Sequence, residues 1–306
     1  MLITPAAISN HRIGILFALF AAIGFSFKAI LAKLIYRHGV DAETLLGLRM
    51  ALALPFYLLL GVFARRGLRK HPPLGARDWL WMAGLGFFGY YLSSYLDFLG
   101  LKHISSGLER LILFLYPTMV VVISAIFLKK PLTRWMMFAL MLTYFGIGLA
   151  VDHDLGNAGM GHEVLLGTAL VFASALTYAL YLIGNGMVVH RLGSLQLTAW
   201  ASSFACLFSI IQFLLVRPIG LVAQQVWQTW ALLGVMVAVS TVAPVWMVSE
   251  AIRRIGAGPV SLTSTLGPVV TIVLGWIILD EAFGWNQVAG AALVIGGVWI
   301  MSRQNR

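Results

Sequence analysis

The feature that most constrains this chain is a membrane-length unit that occurs twice. Moving residues 79–151 forward by 151 positions lays Trp79 on Trp230, Ile104 on Ile255, Gly107 on Gly258 and Leu111 on Leu262. The same shift lays Pro117 on Pro268, Val122 on Val273, Ile126 on Ile277, Leu128 on Leu279 and Gly146 on Gly297. Apolar composition alone produces some coincidences of this kind. It does not readily put a proline at the centre of both copies of one apolar segment. Two membrane units interrupted at the same depth predict a binding site where the units meet.

Of the 306 residues 60% are hydrophobic and only 10% charged, more apolar surface than a soluble domain of this length can hide. The apolar residues fall into ten runs long enough to cross about 30 Å of hydrocarbon. They cover approximately 13–36, 43–63, 79–101, 105–128, 133–151, 164–188, 195–216, 227–250, 257–279 and 285–302. Short connections leave no room for a soluble domain. The runs are apolar throughout, which excludes the alternating strands of an outer-membrane barrel.

The formal charge of +10 suggests nucleic acid until position is considered. With the N-terminus in the cytoplasm, ten crossings bring the C-terminus back to that side. The inner ends and loops then hold 14 of the 21 basic residues, among them Arg12, Arg65, Arg66, Arg69, Lys70, Arg77, Lys129, Lys130, Arg134, Arg191, Arg253, Arg254, Arg303 and Arg306. The outer connections hold Arg37, Lys102 and Arg217 beside Asp41, Glu43, Asp152, Asp154, Glu163, Asp280 and Glu281. The positive-inside rule therefore predicts a multi-pass protein of the cell (inner) membrane with both termini cytoplasmic, and no nucleic-acid partner. Cys206 is the only cysteine, so no internal disulfide and no thiolate metal site is expected. The polar N-terminus runs straight into a full-length apolar segment and reads as a retained first helix.

Gly84-Leu-Gly86-Phe-Phe-Gly89 fits a dinucleotide fingerprint, but that motif needs a strand before it and a phosphate-accessible loop. Within an apolar run it predicts close helix packing, as does the pair Ala292 and Gly296. No P-loop, H-E-x-x-H, G-x-S-x-G or metal-ligand cluster occurs, so neither an enzyme nor a cofactor or metal is expected.

Ionisable residues inside membrane runs are costly and face a protein interior or a wet cavity. Lys28, Lys33, Arg49, Asp97, Glu109 and Arg110 all belong to the outer half, Lys28 nearest the midplane. They predict an outward vestibule or gate with breakable ion pairs, Arg49 pairing with Asp97 or Glu109. The competing expectation is structural pairing, with long side chains snorkelling to the headgroups. Glu250, four residues before Arg254, predicts an ordinary helix-end pair. Pro117 and Pro268 each remove a backbone hydrogen bond at mid-depth, and Pro244 adds a third break. Carbonyls freed there need protein or cavity water, which predicts a cavity floor. Tyr91, Tyr116 and Tyr178 lie too deep for an interfacial belt, and their hydroxyls need partners. They are expected to line an amphipathic pocket; pairing between helices is the alternative.

These residues resemble the drug/metabolite transporter superfamily, in particular its EamA-type members. The resemblance covers nearly the whole chain. In the first half it rests on Leu48-Arg49-Met50, the run from Leu99 to Gly107 and Tyr116-Pro117. In the second half it rests on the run from Ala251 to Gly258, Gly267-Pro268, Leu279-Asp-Glu281 and the run from Gly290 to Gly297. One departure stands out, because Lys129-Lys130 occupies in the first half the place of Glu281 in the second. The resemblance implies an all-α, polytopic membrane protein of ten transmembrane helices in two inverted five-helix repeats, 1–152 and 163–306. It implies a central cavity lined by helices 1, 3, 4, 6, 8 and 9, with helices 5 and 10 peripheral. The implied activity is secondary transport, mostly export, of metabolites or drugs.

The expectation is therefore a secondary carrier of a small amphipathic metabolite, with a lipid-handling, flippase-like protein as the alternative. The pocket candidates are Lys28, Tyr91, Tyr95, Tyr116, Tyr178, Trp246 and Ser264, with Lys28 meeting an anionic group. Pro117, Pro244 and Pro268 are the candidate cavity breaks. Arg49, Asp97 and Glu109 are the gating or proton-coupling candidates, and Asp97 is the titrating group if transport is proton-coupled. The expected partners are a small-molecule substrate, a proton in the coupled case and the lipid bilayer; a homodimer is left open.

Overall fold

The computed structural model describes residues 5–67, 74–127, 129, 131–157, 161–255, 260 and 263–304. Leu128, Gly258 and Leu262 of the repeat match, and Arg69, Lys70, Lys130 and Arg306 of the basic loops, lie outside the described residues.

Without water to bond to, a backbone in hydrocarbon must satisfy its N–H and C=O groups within its own segment. The described residues answer with helix, and no strand occurs among them. In chain order the helices are α1 (Pro5–Tyr36), α2 (Ala42–Gly67), α3 (Ala76–Gly86), α4 (Ser93–Gly100), α5 (Ser106–Leu113), α6 (Tyr116–Phe127) and α7 (Arg134–Asn157). They continue as α8 (Gly161–Leu192), α9 (Ser194–Val216), the single turn α10 (Leu221–Gln224), α11 (Trp227–Val237), α12 (Ala243–Ile255), α13 (Leu266–Leu279) and α14 (Trp285–Gln304).

Polar side chains start several of them. Asp41 accepts the Thr44 N–H at 2.8 Å ahead of α2, and Ser105 accepts the Leu108 N–H at 3.1 Å at the start of α5. Between α8 and α9 the turn is a single residue, Gly193, at φ 78°, where a side chain would be strained.

Among the described residues, seven helical stretches are long and apolar enough to cross a bilayer. They are Arg12–Tyr36, Ala42–Ala64, Ser106–Phe127, Arg134–Gly156, Gly161–Val189, Ser194–Val216 and Trp227–Ile255. Leu266–Leu279 and Trp285–Met301 are apolar but shorter. The helical rod from Ala76 to Gly100 is not among the seven, although the sequence predicts a crossing there. Tyr90, Tyr91, Ser93, Ser94, Tyr95 and Asp97 dilute its apolar character. Trp135, Trp227 and Trp285 are exposed at the starts of α7, α11 and α14, as interfacial belt residues are.

Two features recur at the offset of the sequence repeat. A π-helix, Phe87–Leu92, joins α3 to α4, and another, Ala238–Val242, joins α11 to α12. Phe87 and Ala238 stand 151 positions apart. The helix also breaks before each matched proline, at Phe114–Leu115 ahead of Pro117 and at Thr265 ahead of Pro268. A proline lacks the N–H that would bond the preceding turn, which accounts for a break at these points.

Packing is reciprocal between the halves. α7 lies along α14, α2 along α9, α1 against α12, and α4 against α8; α13 touches both α1 and α5. At the α7–α14 crossing a Cβ on Gly146 would stand 2.7 Å from the Gly290 carbonyl oxygen. A Cβ on Gly297 would stand 2.7 Å from that of Ala139. The repeat offset carries 139 onto 290 and 146 onto 297, so one contact is the image of the other. Small residues allow this approach where the hydrophobic effect no longer drives helices together. The small pair expected in the last helix is displaced, because Gly290 and Gly297 make the crossing while Gly296 has only Leu142 nearby, at 3.8 Å. In the fingerprint-like run, Gly86 lies against the Ala201 carbonyl and Gly89 against the Tyr181 ring, while Gly84 faces open space.

Candidate functional site

α1, α4 and α5 bring three ionisable side chains to one buried point. Lys28 Nζ donates to Asp97 Oδ2 at 2.6 Å and lies 3.3 Å from Glu109 Oε1. The Asp97 and Glu109 side chains are 2% and 0% exposed, that of Lys28 18%. Asp97 Oδ1 and both Glu109 oxygens have no hydrogen-bond partner. The fully buried Phe98 ring stands beside them, its centroid 5.8 Å from Lys28 Nζ and 5.3 Å from the Arg49 guanidinium. Arg49 thus pairs with neither carboxylate, contrary to the sequence expectation, because Lys28 is the cation that reaches both. Instead Arg49 Nε donates to Thr241 Oγ1 at 3.2 Å. Thr241 in turn donates to the Met236 carbonyl five residues back, at 3.2 Å, which is the spacing of its π-helix. Arg49 Nη1 and the neighbouring Ser240 hydroxyl, both buried, have no partner.

The expected pocket residues fall in separate places. Tyr116 meets Tyr178 edge-on at 5.3 Å, Tyr178 meets Tyr181 at 5.5 Å, and the Tyr181 and Tyr90 hydroxyls lie 2.9 Å apart. Tyr91 stacks on Tyr95 at 6.4 Å beside Phe87 and Phe208, and Tyr95 donates to Glu43 Oε1 at 3.3 Å. Trp246 is 58% exposed and packs edge-on against Phe17. Ser264 donates to the Val260 carbonyl. Pro244 presses on α1, where a Cβ at Gly24 would stand 2.9 Å from its ring. The Arg110 guanidinium lies close to Gly267, where a Cβ would stand 2.9 Å from its Nη2, and its buried Nε has no partner. Ser26 of α1 donates to the Gly267 carbonyl at 3.1 Å.

The connections 37–41, 101–105, 217–226 and 280–284 gather at one end of the bundle, where the halves are tied by charge. Lys33 Nζ lies 2.7 Å from Glu281 Oε1. Glu281 also accepts the Ser106 N–H at 2.9 Å and its hydroxyl at 2.6 Å, capping α5 from the other half of the chain. Arg37 donates to the Leu279 carbonyl, and Arg217 pairs with Asp41 and Glu43 at 3.4 and 3.2 Å. Burial pushes the Asp41 carboxyl up, but the Thr44 N–H, the neighbouring Glu43 and Thr44 side chains and Arg217 together hold it below its ordinary value. Asp154 bonds the backbone N–H and hydroxyl of Ser105. At the opposite end Asp78 pairs with Arg191 across the halves, while Glu250 pairs with Arg253 and Arg254 of its own helix. The partnership of Glu281 with Lys33 and Ser106 is invisible in sequence spacing, since its members lie far apart along the chain. The contrast between Glu281 and Lys129-Lys130 is the one signal that could have pointed to it.

Two cavities frame these clusters. One of about 340 Å³ lies among Lys33, Tyr36, Arg37, Lys102 and Glu281 at the tied end. The other, about 500 Å³, is an apolar groove between α2 and α11–α12, lined by Leu52, Phe56, Val242 and Trp246 among others. Phe56 and Trp246 are half exposed at its mouth. Of the expected pocket residues only Trp246 lines it.

The EamA-like transporter family model matches residues 12–151 and again 165–303. An uncharacterized transporter of Bacillus subtilis (strain 168), YcbK, is 31% identical over 94% of this chain and 91% of its own length. Another from the same organism, YyaM, is 24% identical over 82% of this chain and 81% of its own length. A protein of known crystal structure shares the fold, with a TM-score of 0.61 and 18% identity over 96% of this chain and 98% of its own.

Proposed function

The chain belongs to the EamA-like transporter family, and from that premise we propose that it is a secondary carrier exporting a small amphipathic metabolite by alternating access. It is a multi-pass membrane transporter, not an enzyme. In this reading residues 1–152 and 163–306 form two five-helix repeats. An odd number of crossings inverts the second repeat, and the solute site lies between them. The observation that supports it most is the reciprocal packing of matched helix breaks, with α5 and α13 in contact and Arg110 lying against Gly267. Broken helices at that depth supply free backbone groups to a solute. Lys28, the least buried member of its cluster, meets the solute's anionic group, and Asp97 titrates if the flux is proton-coupled. Arg49 and Glu109 contribute to gating. The excess of arginine and lysine at the Asp78–Arg191 end supports the reading in which that end and both termini are cytoplasmic, in a cell (inner) membrane. The tied end then faces outward.

A thermal-shift screen of purified protein against metabolites, followed by counterflow of each hit in liposomes, tests this reading. Saturable counterflow is expected, with strong loss in a folded Lys28→Ala variant. No counterflow for any stabilising solute would sink the carrier, and unimpaired Lys28→Ala would remove Lys28 from the site. A second reading, lipid handling, is favoured by the apolar groove with Phe56 and Trp246 at its mouth. Movement of labelled lipid between leaflets, absent from protein-free liposomes, would select it.

A further inference from the structure

The cluster of Lys28, Asp97 and Glu109 is one positive charge short. Two carboxylates share a single ammonium, which hydrogen-bonds only Asp97. Neither of the two nearby arginines hydrogen-bonds a carboxylate of the cluster. Arg49 of α2 lies against the Phe98 ring and donates to Thr241, and Arg110 of α5, next to Glu109 in the chain, stands close to Gly267 with its buried Nε unpartnered. Tyr36 of α1 spends its hydroxyl on the Phe98 carbonyl at 2.8 Å. Three carboxylate oxygens are left without a hydrogen bond inside the protein, and Glu109 is fully buried. Buried polar atoms are nearly always bonded, and a buried ion without a partner costs several kcal/mol. A monovalent cation brings the cluster to neutrality. A divalent ion would overshoot it.

We propose that Asp97 and Glu109 form a binding site for one monovalent cation, a proton or a sodium ion, with Lys28 as its tethered competitor. Lys28 is the only member with appreciable exposure. A solute anion that draws its ammonium away deepens the deficit and tightens cation binding. By linkage the cation then tightens solute binding to the same degree. This coupling rests on the carrier reading; the cation site does not.

The test uses the full chain purified in detergent. Melting is followed as sodium replaces choline at fixed ionic strength, and infrared difference spectra are recorded across neutral pH. A proton at the site gives a protonated-carboxyl C=O band that Glu109→Gln removes. Sodium gives a saturable rise in melting temperature that Glu109→Gln and Asp97→Asn abolish. Lys28→Gln should raise the affinity for whichever cation binds by on the order of tenfold or more, since it removes the competing charge. This variant decides the matter even if neither carboxylate variant folds. A cluster that is only structural would give wild type, Glu109→Gln and Lys28→Gln the same pH and sodium responses, which would overturn the proposal. Solute counterflow that persists without any cation response would sink the cation site alone. A cation response without transport of any solute would sink the carrier reading alone.

Discussion

Gly290 and Gly148 show how differently one residue type behaves along two packed helices. A Cβ on Gly290 would stand 2.5 Å from the Gly146 carbonyl oxygen, a backbone atom that cannot rotate away, whereas Gly148 faces open space. Gly290→Ala should therefore cost about 1–3 kcal/mol, as overpacking does. Gly148→Ala should be neutral or stabilise by up to about 1 kcal/mol through helix propensity. Thermal melts of the purified protein compare them, and equal effects would contradict the crossing described above. Asp41 carries a pH signature. Its carboxyl is held below its ordinary value of 3.8 in the folded state. Its stabilisation is therefore present above that value and is lost as the pH falls below it. Asp41→Asn should flatten the acid-side fall in melting temperature, and an unchanged slope would show that Arg217 and Thr44 contribute nothing there.

At the scale of elements, the two proline breaks and the two π-helices set the interior. Pro117→Ala and Pro268→Ala each restore an N–H to a helix, which gains about 0.5–1.5 kcal/mol if the helix straightens. Each should leave the fold intact and depress counterflow, because a continuous helix closes the point where Arg110 meets Gly267. Full flux in both variants would make the breaks ordinary packing kinks. The π-helices at Phe87–Leu92 and Ala238–Val242 left no mark in composition. A π-turn is one extra residue accommodated by five-residue spacing, and no residue type is peculiar to it.

For the whole molecule, the charges at the end formed by connections 37–41, 101–105, 217–226 and 280–284 join the two halves. In the alternating-access reading proposed above, these ties break during transport. Cysteines at Lys33 and Glu281, joined by a short bifunctional maleimide, should block counterflow entirely, and cleaving a reducible version of the linker should restore it. Undiminished flux in the linked protein would mean that this end does not open. The sequence made most of the architecture legible. The apolar runs fixed helices, because a backbone in lipid has no other way to bond itself, and Pro117 with Pro268 marked the breaks through their missing N–H groups. The rod from Ala76 to Gly100 was less legible by apolarity, since its tyrosines and serines face protein neighbours instead of lipid. Only the tertiary structure decided which charges meet. It gave Lys28 to Asp97 and Glu109, sent Arg49 to Thr241 and set Glu281 on Lys33 and Ser106. These pairings depend on the rotation and depth of helices that are remote in sequence. A pattern of apolar residues specifies that a helix crosses; it does not specify which face turns toward which neighbour.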